Sequence, residues 1–207
     1  MGWARMSTAL PIAPAPPAAT ATSVGFKDWA LICSALSSGR QSIILRKGGI
    51  AEGRAGFRFK HEDFFLFPTQ YHQQAERVRP EEVAALDRAP AAPDGTVGIR
   101  LRFVLEFAHW IDDWERLRAL DPFHVWKEEI IRERFEYDEA RGIQCAFGRV
   151  LASNALWTFP DHPSYGGCRS WVNLPAVPSS LEWTPVLPEE EHQRRARMIE
   201  TIINDHK

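Results

Sequence analysis

Apolar side chains recur at helical spacing from Phe26 through Trp29, Ala30, Cys33 and Leu36, with Gly39 behind them as a stop, so a first helix is predicted there. The β-branched run Gln41–Lys47 then closes on Gly48 and Gly49 and reads as a strand entering a turn. Phe64–Phe67 is an apolar run of strand length, and Pro68, which cannot donate to a central ladder, marks its exit. A short helix carrying Tyr71, His72 and Gln73 is expected next. Another starts at Pro80, because proline fits the first helical position and Glu81 and Glu82 favour the positive end. After a loop over Ala89–Gly95, Val97, Ile99, Leu101 and Phe103 alternate with other residues as a half-buried strand does.

Two helices are predicted over Asp112–Leu120 and Pro122–Tyr137, the second with Phe123, Val125 or Trp126, Ile130 and Phe135 as its apolar stripe. One or two strands are expected in Ile143–Trp157 and a last one in Ser170–Leu174. Pro188–His206 reads as a helix with Glu189, Glu190 and Glu191 at its positive end and Met198, Ile202 and Ile199 as its stripe. The elements, about five strands and five helices, lack the strict alternation of a doubly wound parallel sheet. The predicted fold is α+β: a small mixed or antiparallel sheet, curled into a partial barrel and flanked by short helices. Residues 1–24 are expected to form a disordered Pro/Ala-rich tail, 25–187 a single α+β domain and 188–207 a C-terminal helix, with Met6 an alternative start to Met1.

Composition narrows the function classes. A chain of 207 residues buries roughly 70% of its unfolded surface and needs no covalent staple. Eight Trp and twelve Phe suit a stiff core, and they also suit a pocket that stacks flat ligands. The net charge of −2 means that any affinity for nucleic acid must come from a local basic patch. Cys33, Cys145 and Cys168 are widely spaced and odd in number, which excludes a disulfide framework and a zinc pair and fits a reducing, cytoplasmic setting. No apolar run is long enough for a membrane partner, and Pro11, Pro14, Pro16 and Pro17 break up what would be a secretory signal.

The local charge imbalance falls between Arg40 and Lys60, where Arg40, Arg46, Lys47, Arg54, Arg58 and Lys60 face one acid, Glu52. Arginine and lysine among glycines meet phosphates, because the backbone comes close while the guanidinium offers a fork of donors. The same residues also serve simply to keep a strand edge from pairing. The ending of a Walker-type phosphate loop is absent, and Glu52 beside Arg54 is either a ligand-reading pair or an ion pair pinning the loop. His61, His72 and His124 stand in suggestive company, but none has metal-ligand spacing, and no cofactor is implied. An acid followed by a spaced acid-x-Lys, as a metal-dependent nuclease needs, is not found.

Tyr165-Gly-Gly-Cys-Arg-Ser-Trp171 is the most distinctive segment. Its glycines put Cys168 on unusual backbone, and Cys168 becomes a candidate nucleophile if His72 or His124 reaches it as a base. A buried cysteine behind a tight turn is the plainer outcome.

Lys27–Ala30, Ile44–Ile50, Phe64–Thr69 with His72 and Gln73, Phe123–Trp126 and Tyr165–Val172 together resemble the bacterial family called domain of unknown function 1802. The resemblance implies membership rather than an activity, and some relatives are associated with restriction-type nuclease domains. A weaker similarity is to the ASCH and PUA-like nucleic-acid-binding barrels, whose G-x-K-x-x-E-x-R pattern is approached by Gly39–Arg46. Gln41 stands for the lysine and Ile44 for the glutamate, so a PUA-like barrel is implied while the two ligand-reading residues are absent. Three functions follow as expectations. The first is a module binding RNA, DNA or a nucleotide, accessory to a restriction, modification or defence system. In it Arg46, Lys47 and Arg54 contact phosphate, Tyr71, His72, His124 and Trp171 line a pocket for a base, and Glu52, Trp126, Tyr165, Cys168 and Ser170 are further ligand-binding candidates. The others are a hydrolase or transferase using Cys168, and a protein-interaction module.

Overall fold

A computed structural model of the chain describes residues 23–48, 57–70, 74–86 and 92–205. Its centre is a sheet of seven strands. These are β1 (Ser23–Trp29), β2 (Ile43–Arg46), β3 (Asp63–Thr69), β4 (Thr96–Ile111), β5 (Ile143–Pro160), β6 (Trp171–Leu174) and β7 (Trp183–Pro185). The order is β2-β5-β4-β3-β1-β6, with β7 added on β5, and only β1 and β3 pair in parallel. This is the small mixed sheet of an α+β protein, as expected. Around it lie α1 (Ala30–Ser37), α2 (Gln74–Arg77), α3 (Pro80–Leu86), α4 (Trp114–Ala119), α5 (Glu128–Phe135) and α6 (Glu189–Asn204).

The first element departs from its expected form. Ser23–Trp29 is a strand, and the helix begins only at Ala30. Val24, Phe26 and Asp28 alternate onto the face of the main core, while Gly25 and Lys27 turn to a second, smaller core. An acid in an inward position hid this alternation. The helix expected from Pro122 is also divided: a 3-10 turn over Asp121–Phe123, extended chain over His124–Lys127, then α5. Phe123, His124, Val125 and Trp126 are all buried, a continuous run that one face of a helix cannot accommodate. Backbone bonds from Ser42 to Phe123, from Arg79 to Val125 and from Lys127 to Arg77 hold it extended. On α6 the buried positions are His192, Ile199 and Ile203, and Met198 is exposed. The strand β7 was not anticipated. The tail over 1–22 and the helix expected at Tyr71–Gln73 lie outside the described residues.

The hairpin of β4 and β5 runs through both cores. Its register breaks between Ile99, in the second core, and Leu101, in the main one, so the hairpin changes the face it buries at that irregularity. At Gly148 a Cβ would stand 2.2 Å from the Val104 carbonyl oxygen, which explains a glycine where the two strands are pressed together. The sheet also curls. Its edges are β2 and β6, yet Arg46 at the end of β2 donates from Nη2 to Ser170 Oγ, just before β6, at 3.2 Å. The two edges therefore face each other across one side chain, which makes the sheet a partial barrel.

Candidate functional site

Three strands deliver polar groups to the place where the sheet nearly closes. Asp28 comes from β1, Arg46 from β2 and Gln144, directly opposite Arg46, from β5. The helix α5 adds Arg134, and the extended run before it adds His124. The Arg46 guanidinium lies over Phe26 and Phe57, 5.5 Å and 6.0 Å from their ring centroids. Phe57 packs against Gly48, where a Cβ would stand 2.9 Å from the Phe57 nitrogen, so φ of +103° and close approach both call for glycine there.

Arg134 is set more firmly. Its guanidinium stacks 3.9 Å from the Trp126 ring centroid and 5.3 Å from that of Trp29, and the two indoles meet edge to face at 4.9 Å. The guanidinium makes no hydrogen bond or ion pair among the described residues. Burial lowers its pKa to about 10, with Asp28 acting against that and Arg46 adding to it.

Asp28 is 5% exposed and its Oδ1 accepts from the Trp29 backbone N–H at 2.8 Å. Burial pushes its carboxyl above the usual range, while Arg46 and Arg134 pull in the opposite direction. Neither arginine forms an ion pair with it. A buried acid thus feels two half-buried guanidiniums with which it makes no ion pair.

Unspent hydrogen-bonding capacity surrounds this trio. Trp171 Nε1, Gln144 Oε1 and His124 Nδ1 are the buried side-chain atoms without a hydrogen-bond partner among the described residues. Each orphan costs about 1–3 kcal/mol, so a protein that keeps them calls for a reason. Trp171 sits opposite Phe26 in the β1–β6 pairing, with ring centroids 4.9 Å apart, and Phe64 and His61 meet it at 5.1 Å and 4.9 Å. His124 is lowered to about 3, first by burial and then by Arg79 and Arg134, so its imidazole is neutral throughout the physiological range.

The expected site residues thus divide. Arg46, His124, Trp126, Ser170 and Trp171 belong to or support one cluster. Lys47, expected beside Arg46 against phosphate, instead turns to the other side: its ammonium donates to the carbonyls of Ala140 and Gly142, pairs with Asp138 at 2.9 Å and lies 5.1 Å from the Trp110 ring centroid. Tyr165 packs in the second core against Phe67 and Phe159, and with Lys27 it lines a broad cleft on that face. Cys168 is exposed, and no hydrogen bond joins it to a histidine among the described residues. Its neighbourhood is pinned by Lys27, whose ammonium donates to the carbonyls of Tyr165 and Gly167 at 2.7 Å and 2.8 Å. Gln41, at the place of the ASCH lysine, is buried and holds the Ile43 carbonyl and the Val125 N–H. Glu52, Arg54, Tyr71 and His72 lie outside the described residues. Sequence reasoning missed Asp28, Arg134 and Gln144. Asp28 lay within one of the distinctive segments, whereas Arg134 looks like any charged residue on an amphipathic helix.

Among the described residues no group of three histidines, cysteines or acids is placed to hold a metal ion, and no helix is long and apolar enough to cross a membrane.

Fold and cluster together define an α+β domain with a curled mixed sheet and a charged cluster where its edges meet. The chain belongs to the family described as Domain of unknown function (DUF1802), whose model matches residues 25–198. No curated protein matches it. Among solved structures it is similar to the crystal structure of ASCH from Zymomonas mobilis, with TM-score 0.40 and 14% identity over 84% of this chain and 94% of that one. A serine-to-alanine mutant of the same protein gives TM-score 0.41 and 13% identity over 85% and 95%, and a tyrosine-to-phenylalanine mutant 0.37 and 14% over 84% and 96%.

Proposed function

We propose that the protein is a nucleic-acid- or nucleotide-binding module whose binding site is the interior cluster at the sheet closure. The observation that carries this reading is the pair Arg46 and Arg134, held on aromatic rings beside Asp28 without an ion pair to it. Guanidiniums in such a place favour an anion, since a phosphate accepts two parallel N–H bonds from each fork. Trp171, half-buried beside His61, supplies the aromatic surface against which a base can stack, with the fully buried Phe26 behind it. The orphaned indole, amide and imidazole atoms supply hydrogen bonds for a polar edge. Asp28, His124 and Trp126 are almost fully enclosed, whereas Arg46, Arg134 and Trp171 are half-buried. The groove of a duplex therefore does not reach the acid, and a ligand enters past the half-buried side as a single unstacked nucleotide, free or in a single strand.

The test is a fluorescence-anisotropy titration of labelled single-stranded RNA, single-stranded DNA and duplex DNA with the protein and with its Arg134→Ala variant. Binding of single strands above duplex, weakened by roughly tenfold or more in the variant, supports the reading. No binding to any of them, or equal binding by the variant, overturns it. The pairing of Cys168 with His124 draws no support from geometry, since Cys168 is exposed and His124 enclosed; His72, the other candidate base, lies outside the described residues.

A further inference from the structure

We infer that the base taken by this site is guanine and that Asp28 is the carboxylate that reads it. The inference rests on the nucleotide-binding reading and goes beyond it to the identity of the base. Asp28 points into the cluster from β1, two residues along from Phe26 on the same face. One of its oxygens accepts a single backbone hydrogen bond, and no ion pair consumes the rest of its acceptor capacity. An ionised carboxylate only accepts, so the edge presented to it must carry donors, and two neighbouring donors match its two oxygens best.

Among the four common bases guanine alone offers that edge, with N1–H beside the exocyclic N2 amino group. Adenine and cytosine set one donor next to a ring acceptor, and uracil sets one donor between two carbonyls. In each of those a lone pair would face the second carboxylate oxygen, a repulsion between acceptors in a low-dielectric place. The Trp171 Nε1–H is a donor without a partner, which suits the O6 and N7 acceptors on the guanine edge. Gln144 Oε1, opposite Arg46, is left as a further acceptor. Burial penalises the charge of Asp28, so two donors from a ligand would relieve a strain already present in the free protein.

Isothermal titration of the full chain with GMP, IMP, AMP, CMP and UMP tests this. IMP is the sharpest probe, because it keeps N1–H and lacks only the N2 amino group. GMP is expected to bind roughly tenfold more tightly than IMP and tighter still than the other three, since a buried acceptor left unpaired discriminates strongly. In Asp28→Asn, where an amide NH2 replaces one acceptor, the preference for GMP over AMP should disappear. Equal affinities for all five nucleotides, or an Asp28→Asn protein that still prefers GMP, overturn the inference while leaving nucleotide binding intact. Failure of every nucleotide to bind overturns both. The comparison of GMP with IMP uses unaltered protein, so it holds even if the variant does not fold. A single-stranded pentauridylate with its central residue replaced by guanosine, set against pentauridylate itself, separates the two sources of the base. Tighter binding of the guanosine-containing strand assigns the site to a nucleic acid, and a preference confined to GMP assigns it to a free nucleotide.

Discussion

Arg46, at the end of one edge strand, donates to the hydroxyl of Ser170, at the threshold of the other, over 3.2 Å. The bond links the ends of the sheet and also holds the guanidinium over Phe26 and Phe57, facing the interior. One side chain thus serves the closure and, under the proposed function, binding as well, and the two roles can be separated.

Ser170→Ala removes the hydrogen bond and keeps the charge. It should lower stability in urea unfolding by about 1 kcal/mol and leave nucleotide affinity within about threefold. Arg46→Ala removes both bond and charge, so it should lower stability by about 1–3 kcal/mol and affinity by roughly tenfold or more. Equal affinity losses in the two variants would show that Arg46 acts on the ligand only through the closure.

Lys47→Met separates the neighbouring lysine from the site. The ammonium satisfies the carbonyls of Ala140 and Gly142, and its loss leaves them without that donor. Thermal and urea unfolding should register about 1–3 kcal/mol of destabilisation. Nucleotide affinity measured on the folded protein should be unchanged, and a tenfold loss would return Lys47 to the binding surface.

His124 predicts a specific acid sensitivity. The folded imidazole titrates at about 3, because burial and two arginines oppose its charge, whereas the unfolded one titrates near 6.5. Its contribution to stability is therefore complete above the unfolded value and is lost as pH falls towards the folded one, by up to about 1.4 kcal/mol per pH unit. Asp28 acts in the opposite sense, since its raised carboxyl favours the folded state only below its own titration. Urea midpoints between pH 5 and 7 should fall on acidification more steeply in the wild type than in His124→Gln. Parallel profiles would contradict this.

The cysteines differ in access. Burial pushes Cys145 up to about 12 and Cys33 well above its ordinary value, while Cys168 is exposed. A thiol reagent at pH 8 should modify one thiol in the native protein and three after denaturation, and Cys168→Ser should abolish the native reaction without altering nucleotide affinity.

Much of the framework was legible in the sequence. Ile43–Arg46, Phe64–Phe67 and the strands of the long hairpin announced themselves by β-branched and aromatic residues, although β3 runs on through Pro68 to Thr69 beside β1, and the mixed sheet followed from the order of elements. The failures cluster where the site is. Asp28 broke the alternation of β1 by placing an acid inward, and the run Phe123–Trp126 mimicked a helix because every residue in it is enclosed. Local rules fail where a chain holds groups for a purpose other than packing. Arg46 drew notice because positive charge stood out among glycines, and the sequence could not part Lys47 from it, since only the fold shows these adjacent residues turning to opposite faces. Arg134 and Gln144 carried no local signal, since only the fold brings a helix towards Asp28 and sets Gln144 of β5 opposite Arg46.

The most direct measurement is the side-chain indole spectrum of the 15N-labelled protein, with the Trp171 Nε1–H resonance identified by its loss in Trp171→Phe. On titration with a nucleoside monophosphate, that resonance should move downfield as the indole N–H acquires an acceptor, with a saturation curve matching the bulk affinity. A nucleotide that binds while the Trp171 resonance stays in place would put the ligand elsewhere and contradict the account.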